Sequence, residues 1–451
     1  MKFSKYNFLF RSEKYGHLMF NAETKACVWL SEEDFKVLRL IEQDPKNIEI
    51  VGEKTKEALL CARIIVENED QIMYKKRMHY FFNAFDSSNL GLAIAPTTDC
   101  NFLCPYCYEA NKAHHYMNSD VENKLINFIC GHNRVSKLNI TWYGGEPLMG
   151  FSSIQHILGE VSKIEHLKLC QHTMTTNGYL LDKHKSLFFK QYPLSCVQIT
   201  VDGTRDFHDT RRVLSPDKSP TFDRIIENVG TFIEINPDTR ISIRVNIDHS
   251  NEDSFVDLYR QLHALWPGKE NLIVYPAFVK DFQSLRTKIS EDNFSINGCR
   301  DVCFTISDKL LFFEKLHKEF GININFSPEY TVGGCGATTL NYYVVGPQGE
   351  LYKCWNDIGN PKAVVGSIFA DGIITNYDLL SRYIAGPNMF DDEKCMKCKI
   401  MTICDGGCMW NRHKNLFENA NISLCSSRIS NPEKAFELYY EQLLNQQKKE
   451  K

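Results

Sequence analysis

The spacing of hydrophobic residues divides the first 281 residues into two regions. Over residues 1–88, three short apolar stretches precede three segments in which apolar side chains recur every three or four positions. Over residues 89–281, short runs of consecutive apolar residues alternate with helical patterns, six times in all. Consecutive apolar residues are typical of strands buried on both faces, as in parallel sheets. The pattern therefore predicts a small N-terminal domain followed by an α/β domain.

The same pattern places the strands and helices of both regions. A Ser-x-x-Asp sequence at Ser31 predicts the start of the first helix. The N-terminal region is predicted to have strands at 6–11, 17–21 and 26–30, and helices at 31–43, 55–62 and 70–85. The second region is predicted to have strands at 90–95, 138–143, 172–176, 197–201, 241–247 and 272–279, with helices such as 120–130, 222–233 and 254–265.

Three cysteines directly follow the first predicted strand of the second region. Cys100, Cys104 and Cys107 form a C-x3-C-x2-C sequence, and Tyr106 stands just before the third cysteine. Three thiolates can hold three irons of a [4Fe–4S] cluster and leave the fourth iron open to a small molecule. The alternatives are a zinc knuckle or three unrelated thiols, although structural zinc sites usually take four ligands in C-x2-C pairs. The spacing therefore favours an iron–sulfur cluster with one open iron.

Tyr106 completes a C-x3-C-x-aromatic-C sequence, and in this the chain resembles the radical S-adenosylmethionine (radical SAM) enzymes. The resemblance implies an α/β fold with an open, partial (β/α)6 TIM-like barrel over residues 89–281 and reactive groups at the carboxyl ends of its strands. It also implies that the fourth iron chelates SAM, whose reductive cleavage gives a 5′-deoxyadenosyl radical. That radical takes a hydrogen atom from a substrate C–H bond, while the protein supplies geometry and excludes water.

The loop after the second strand also fits this resemblance. It contains Gly144, Gly145 and Glu146, and the resemblance implies that it contacts the aminoacyl group of SAM, with Glu146 taking the ammonium. Two adjacent glycines allow the backbone to approach a ligand closely. Without the cysteine loop before it, such a sequence would more often be an ordinary turn.

The third and fourth strands end in Thr-Asn-Gly and Thr-Val-Asp-Gly. The resemblance implies that Asn177 belongs to the SAM site and that the Thr200 hydroxyl contacts SAM. Arg212 would pair with the SAM carboxylate, because a guanidinium matches a carboxylate with two parallel hydrogen bonds. Arg211 is the alternative for this role, and a solvated surface position is the alternative for either arginine.

A second set of cysteines follows residue 333. Its spacing, with a glycine-containing turn at 346–350, resembles the SPASM domain found behind the barrel in peptide-modifying radical SAM enzymes. The resemblance implies two auxiliary [4Fe–4S] clusters, and hence three clusters in the chain. Two zinc sites would explain the C-x2-C pair but not the whole set. The implied ligands are Cys395, Cys398, Cys404 and Cys425 for one auxiliary cluster, and Cys335, Cys354 and Cys408 for the other.

The cluster on Cys335 lacks the fourth cysteine that the resemblance implies shortly before this residue. Cys303 or Cys299 could supply it from the preceding segment. Otherwise this cluster keeps an open iron, for which a thiolate is the preferred ligand. A substrate cysteine could then bind there while its sulfur is joined to carbon.

The composition of the chain limits which cellular compartment and which kinds of partner we expect. The net charge of −4 gives no sign of a nucleic-acid surface, and no stretch approaches the roughly 18 apolar residues of a membrane span. The first residues lack the apolar core of a secretion signal. Seventeen cysteines in such a chain indicate metal ligation in a reducing cytoplasm. The cysteines outside the motifs that are predicted to be core residues are Cys27, Cys61, Cys130, Cys170 and Cys196.

The order of strands and helices in residues 1–88 resembles the winged-helix element with which peptide-modifying enzymes grip the leader of a precursor peptide. Such a module would add the leader as a strand to a sheet edge, and a plain cap on the next domain is the alternative. Residues 282–332 are predicted to bridge to the cysteine-rich domain, 333–430. Residues 431–451 are predicted to form a final helix.

Together these features predict an enzyme that installs a thioether or carbon–carbon crosslink in a ribosomally made precursor peptide, with an electron donor such as ferredoxin or flavodoxin. One alternative is an anaerobic sulfatase maturase, which oxidises Cys or Ser to formylglycine. Those enzymes start close to their cysteine triplet, whereas a whole domain precedes Cys100 here. The other alternative is a non-enzymatic iron–sulfur electron carrier or peptide-binding scaffold, against which the complete set of motifs argues.

Overall fold

The computed structural model describes most of the chain, namely residues 1–107, 109, 113–279, 304–329, 334–370, 372–386, 388–425 and 430–449. Cys299 and Cys303, the candidate ligands before Cys335, lie outside the described residues, as does much of the predicted bridging segment. Within the described ranges, no helix has both the length and the apolar character that a bilayer crossing requires.

The N-terminal region contains two small sheets and three helices. Its elements are β1 (Lys2–Phe3), β2 (Asn7–Ser12), β3 (Gly16–Asn21), β4 (Cys27–Leu30), α1 (Glu32–Gln43), α2 (Glu53–Cys61), β5 (Ile65–Val66) and α3 (Asp70–Ala84). The three predicted strands are present as β2, β3 and β4, which pair in one antiparallel sheet. Ser31 caps α1, since its hydroxyl accepts a hydrogen bond from the Asp34 backbone N–H at 3.0 Å. The sequence does not predict the antiparallel pairing of β1 with β5, because a two-residue strand is too short to show an alternation of apolar and polar residues.

The second region is a parallel sheet with helices between its strands. Its elements are β6 (Asn89–Ile94), α4 (Ser119–Gly131), β7 (Lys137–Trp142), α5 (Phe151–Val161), β8 (Lys168–Thr176), α6 (Lys183–Gln191), β9 (Cys196–Thr200), α7 (Arg205–Arg211), α8 (Phe222–Ile235), β10 (Arg240–Ile247), α9 (Glu252–Leu265) and β11 (Leu272–Phe278). Strands β6 to β11 pair in chain order, each parallel to the next. All six predicted strands are present, and β8 begins earlier than predicted because its first residues are exposed and form no apolar run. This parallel α/β arrangement brings the carboxyl ends of the six strands to one edge.

The cysteine-rich region continues this sheet. The remaining elements are α10 (Ile306–Lys318), β12 (Tyr342–Val345), β13 (Glu350–Tyr352), β14 (Gly366–Ser367), α11 (Tyr377–Ala385), α12 (Glu393–Met396), α13 (Met409–Phe417) and α14 (Pro432–Lys449). Strand β12 pairs parallel with β6, on the edge opposite β7, and β13 and β14 follow in antiparallel order. The predicted hairpin is therefore present, and it joins the sheet through the strand that precedes the first cysteine loop.

The N-terminal sheet packs against the cysteine-rich region and α14. Phe20 of β3 stacks on Phe436 of α14 with ring centroids 3.7 Å apart, within an apolar core that the two regions share. On α3, the Lys76 ammonium donates hydrogen bonds to three carbonyl oxygens within residues 401–404, at 2.7–3.0 Å. Residues 1–84 therefore pack against the part of the chain that holds the later cysteines.

The cysteines outside the motifs differ in burial. Cys27 is buried and Cys196 half-buried, in agreement with the core prediction. Cys61, Cys130 and Cys170 are exposed, so the core prediction is wrong for these three. Cys130 is not on the buried face of α4, and Cys170 lies in the exposed first part of β8. An apolar neighbourhood in the sequence does not by itself place a small side chain on the inner face of an element.

His172 lies in the core of the α/β domain and is held in its neutral form. Its Nε2 accepts a hydrogen bond from the Trp142 indole N–H at 2.8 Å, and its Nδ1 lies 3.1 Å from the Pro193 carbonyl oxygen, to which it donates. Burial lowers the pKa of His172 to about 4. A proton on Nε2 would face another donor and place a charge in the core.

Acidification should therefore destabilise the protein through His172. Histidine in an unfolded chain titrates near pH 6.5. Between that pH and about pH 4 the unfolded chain binds a proton that the folded chain does not, so stability is lost as the pH falls. Between pH 6.5 and pH 5, we expect the free energy of unfolding to fall by about 1.5 kcal/mol less in His172→Gln than in the wild type. Urea unfolding at the two pH values measures this, with the exposed His166→Gln as the control. Equal pH dependence in His172→Gln and wild type would contradict the assignment.

Candidate active site

The first cysteine loop leaves the carboxyl end of β6 and lies against the segment that follows α7. Two backbone hydrogen bonds, 2.8 and 3.0 Å long, join residues 101–103 to residues 213–215. The thiols of Cys100, Cys104 and Cys107 are half-buried. Burial raises the pKa of Cys104 to about 11, and burial together with the nearby Glu146 carboxylate raises that of Cys100. The thiolates that a cluster requires would therefore depend on the positive charge of bound iron.

The glycine loop after β7 touches the backbone of the cysteine loop. Gly144 has a φ of +118°, and a Cβ atom there would lie 2.3 Å from the Thr97 carbonyl oxygen. A Cβ atom on Gly145 would lie 2.1 Å from the Asp99 carbonyl oxygen. Both distances are far below van der Waals contact, so a residue with a side chain does not fit at either position without moving the backbone. The two glycines thus allow the loops after β6 and β7 to lie directly against each other.

The Glu146 carboxylate is fully buried and joins the end of β7 to the end of β8. It accepts hydrogen bonds from the Leu148 backbone N–H at 3.0 Å, the Thr176 hydroxyl at 2.7 Å and the Asn177 backbone N–H at 2.7 Å. Burial raises the pKa of Glu146, although these donors and Arg212 oppose the rise. These three hydrogen bonds hold the ends of β7 and β8 together. Its contact with a SAM ammonium stays a prediction.

Asn177 links the third strand end to the cysteine loop. Its side-chain N–H donates to the Asn101 side-chain oxygen at 2.8 Å, and its own side-chain oxygen accepts from the Tyr179 backbone N–H at 3.0 Å. Thr200 ends β9 at the same edge of the sheet and is 8% exposed. The four predicted strand ends are therefore brought together at one edge.

Tyr106 and Arg212 meet at a buried carboxylate. The Tyr106 hydroxyl donates to Asp202, and it accepts hydrogen bonds from Arg212 Nη1 at 2.8 Å and Asn246 Nδ2 at 3.2 Å. Arg212 is 6% exposed and its guanidinium lies over the Phe102 ring, so the surface alternative does not hold for this residue. Burial raises the pKa of Asp202, against the opposing charge of Arg212. The sequence reasoning did not select Asp202, although its place directly after an apolar strand is a signal for it.

Arg211 lies beside this group as well. Its Nη2 forms an ion pair with Asp248 at 3.0 Å, its Nε lies 3.9 Å from Asp202, and its guanidinium lies over the Tyr106 ring. Both arginines predicted as alternatives are therefore present in the site.

Several buried polar atoms of this site have no hydrogen-bond partner among the residues that the structure describes. They are Asp202 Oδ1, Arg211 Nη1, Arg212 Nε and Asn101 Nδ2. Buried polar groups are normally paired, so three donors and one acceptor left over in one place indicate a polar ligand. A molecule with a carboxylate and hydroxyl groups would satisfy them, and SAM has both.

The later cysteines fall into two groups. Around one cavity of about 830 Å³ lie the four cysteines Cys395, Cys398, Cys404 and Cys425. The other three cysteines are close enough to interact electrostatically. Burial is the main reason that the pKa of Cys354 is raised, and the charges of Cys335 and Cys408 contribute to the rise. The same division is implied by the resemblance to the SPASM domain, and cluster binding by either set stays a prediction.

A cubane cluster fits these groups better than a single ion does. Within the described residues, no three His, Cys, Asp or Glu side chains converge closely enough to hold one metal ion. In a [4Fe–4S] cluster each thiolate binds a different iron, so the sulfurs stand further apart. The soft, all-thiol donor sets match iron–sulfur clusters.

Comparison with known proteins finds similarity to a family over part of the chain. Residues 94–262 match the model of the Radical SAM superfamily. The chain is 28% identical to the serine-type anaerobic sulfatase-maturating enzyme of Bacteroides thetaiotaomicron over 139 residues, 29% of this chain and 33% of that protein. It is 21% identical to the radical SAM cyclopropyl synthase TigE of Paramaledivibacter caminithermalis over 351 residues, 70% of this chain and 67% of that protein. The first match thus spans about a third of its relative's length.

The fold is similar to that of anSMEcpe with bound AdoMet and Cp18Cys peptide. The TM-score is 0.59 at 19% identity, and the alignment covers 80% of this chain and 100% of that one. At this identity the likeness concerns the fold alone. The family match spans the cysteine loop and the three strand ends that follow it. Residues 94–262 of this chain therefore carry a radical SAM domain.

Proposed function

We propose that this chain modifies a ribosomally made precursor peptide, joining two of its residues through a thioether or a carbon–carbon bond. The radical chemistry that this requires is supported by one observation above the others. Four strand-end loops converge at one edge of the parallel sheet and are tied together by hydrogen bonds of Glu146, Asn177 and Tyr106. Ligands bind at this edge in parallel α/β folds.

In this proposal Cys100, Cys104 and Cys107 hold a [4Fe–4S] cluster with one open iron. Gly144 and Gly145 let the backbone reach the amino-acid part of SAM. When bound, the reduced cluster and SAM together supply reductive cleavage of SAM and a radical that removes a hydrogen atom from the substrate.

The remaining polar groups position SAM. The free N–H groups of Arg212 and Arg211 suit a carboxylate, and the free oxygen of Asp202 suits a hydroxyl group. Thr200 contributes a further hydroxyl at the end of β9. Glu146 and Asn177 fix the relative positions of the loops, because each bonds to a neighbouring loop or strand end.

Two auxiliary [4Fe–4S] clusters complete the proposed set of three. The four cysteines around the 830 Å³ cavity hold one of them. Cys335, Cys354 and Cys408 hold the other, with Cys303 or a substrate thiolate as its fourth ligand. When bound, such a cluster would supply a site for the electron that remains after the substrate closes its new bond, and ferredoxin or flavodoxin would supply the first electron.

The N-terminal sheet is proposed to bind the leader of the peptide. Strand β4 is an edge of this sheet, and its Val28 and Trp29 side chains are 38% and 58% exposed. An extended leader can add to such an edge, with pockets for alternate side chains. The similarity in fold to anSMEcpe, which was solved with a bound peptide, supports a peptide or protein substrate.

A second candidate is the oxidation of Ser or Cys to formylglycine in a sulfatase. It is favoured by the identity to the Bacteroides thetaiotaomicron enzyme and by the fold of anSMEcpe. The two reactions leave different groups in the product, an aldehyde in one and a crosslink in the other.

The test uses the full chain under reducing, oxygen-free conditions with SAM and with any short precursor peptide found in the open reading frames next to its gene. We expect 5′-deoxyadenosine and a peptide that has lost hydrogen, fragments as a crosslinked ring, and does not react with an aldehyde-directed hydrazide. The same peptide without its leader should react much more slowly.

Three results would speak against parts of this proposal. A hydrazide-reactive product, or turnover of a sulfatase peptide instead, would favour formylglycine formation. Equal turnover with and without the leader would remove the role of the N-terminal sheet. No 5′-deoxyadenosine from iron-loaded protein would favour the non-enzymatic alternative.

A further inference from the structure

Arg412 is a buried arginine at the cavity of the four cysteines. It lies on α13, is 3% exposed, and directs each part of its guanidinium to a different partner. Nε donates to the Gly406 carbonyl oxygen at 2.6 Å, Nη1 forms an ion pair with Asp392 at 2.9 Å, and Nη2 donates to Cys395 Sγ at 2.8 Å. A guanidinium stays protonated, so it brings a full positive charge to this sulfur.

Asp392 fixes both ends of this contact. Besides its ion pair with Arg412, its carboxylate accepts hydrogen bonds from the Lys394 backbone N–H at 2.9 Å and the Cys395 backbone N–H at 3.3 Å. The same carboxylate therefore holds the backbone of Cys395 and the guanidinium that contacts its sulfur. These contacts fix the orientation of the Arg412 guanidinium, so its N–H group is held against the Cys395 sulfur.

A neighbouring sulfur also accepts a hydrogen bond. The Gly406 backbone N–H donates to Cys404 Sγ at 3.3 Å, and Gly406 has a φ of +80°. This conformation, which favours glycine, directs its N–H to one cysteine and its carbonyl oxygen to Arg412. Arg412 thus belongs to a small network that places donors at two of the four sulfurs.

We propose that Arg412 raises the reduction potential of the cluster held by these four cysteines, through its charged hydrogen bond to Cys395. The inference rests on the proposed function only in that the four thiolates hold a [4Fe–4S] cluster. Reduction adds one electron to the cluster, and part of that charge resides on the ligating sulfurs. A cationic donor stabilises the more negative, reduced form more than the oxidised form, and hydrogen bonds to sulfur are among the features that set such potentials.

The expected size follows from the strength of such a bond. Hydrogen bonds to charged groups are stronger than those between neutral groups, and only the part of that strength that differs between the two redox states changes the potential. A tenfold change in the ratio of reduced to oxidised cluster at a fixed potential is a conservative expectation, which for a one-electron couple corresponds to about 59 mV.

The test is an EPR-monitored redox titration of the full chain. It is carried out with Cys100, Cys104 and Cys107 replaced by Ala, so that only the two auxiliary clusters contribute. We expect Arg412→Gln to lower the ratio of reduced to oxidised cluster about tenfold at the original midpoint, for one of the two clusters only. Arg412→Lys keeps the charge and should recover part of the shift. The control is Arg382→Gln, since the side chain of Arg382 is 42% exposed and pairs with Asp378 on its own helix, and it should change neither potential.

Each other outcome has a definite meaning. Two unchanged potentials in Arg412→Gln, with iron content intact, would overturn the inference. Loss of about four irons in both Arg412 variants would assign the residue to cluster assembly and would overturn it as well. Absence of the cluster from the unsubstituted chain would instead refute the proposed cluster set, independently of Arg412.

Discussion

Replacing Cys100, Cys104 and Cys107 together by alanine should abolish the formation of 5′-deoxyadenosine from SAM. These thiols stand on one loop at the carboxyl edge of the sheet, between the glycine loop and Arg212, and a cluster that has lost all three ligands cannot form there. The later cysteines lie in a different part of the structure, so about two thirds of the iron should remain. Iron analysis and chromatography of the nucleoside products measure both quantities.

The chain offers a matched control for this triple substitution. Cys61, Cys130 and Cys170 are all exposed and belong to neither motif. Their joint replacement by alanine should leave iron content and SAM cleavage unchanged. Persistent SAM cleavage after loss of Cys100, Cys104 and Cys107 would show that the radical site has been assigned to the wrong cysteines.

The second large effect is expected for Gly145→Ala. The new Cβ atom would lie 2.1 Å from the Asp99 carbonyl oxygen and 2.7 Å from that of Thr98, both of them backbone atoms that cannot rotate away. The glycine loop and the cysteine loop must therefore separate. A misplacement of about 1 Å can cost about 100-fold in rate, and we expect a loss of this size in 5′-deoxyadenosine formation, with weaker SAM binding in equilibrium dialysis.

Gly159→Ala is the control for this substitution. Gly159 lies within α5, and a Cβ atom there has no other atom within 4 Å. Alanine in a helix interior is preferred over glycine by about 0.5–1 kcal/mol, so the thermal unfolding temperature should stay the same or rise while SAM cleavage stays constant. If Gly145→Ala behaves like Gly159→Ala, the close approach of the two loops is not needed for activity.

Local patterns predicted the local parts of this fold. The six parallel strands contain short stretches rich in apolar residues, and their placement needs no knowledge of distant residues. The same is true of the N-cap at Ser31 and of the hairpin with its turn at 346–350. The division of the later cysteines into two groups came from their resemblance to a known spacing, and the cavity lined by four of them agrees with it.

Contacts between distant parts of the chain could not be predicted in this way. Phe20 packs on Phe436, but the hydrophobic pattern around each residue predicts only that it is buried and not which residue it contacts. The role of Tyr106 as a partner of Asp202, Arg212 and Asn246 depends on four separate segments meeting. Glu146 carried a predicted ligand role, and its three protein donors became visible only when β7 and β8 were placed side by side.

The parallel pairing of β12 with β6 has a consequence for how the chain acquires its structure during synthesis. The paired residues Ile94 and Val345 are about 250 positions apart, so a ribosome would finish β6 well before β12 emerged. Until then one edge of β6 has no partner, and such an edge invites pairing with other chains. Pairing over so long a separation is also intrinsically slow. The edge of β6 would thus stay open until the later cysteines had been synthesised, and the proposed set of three clusters could be completed only after that point.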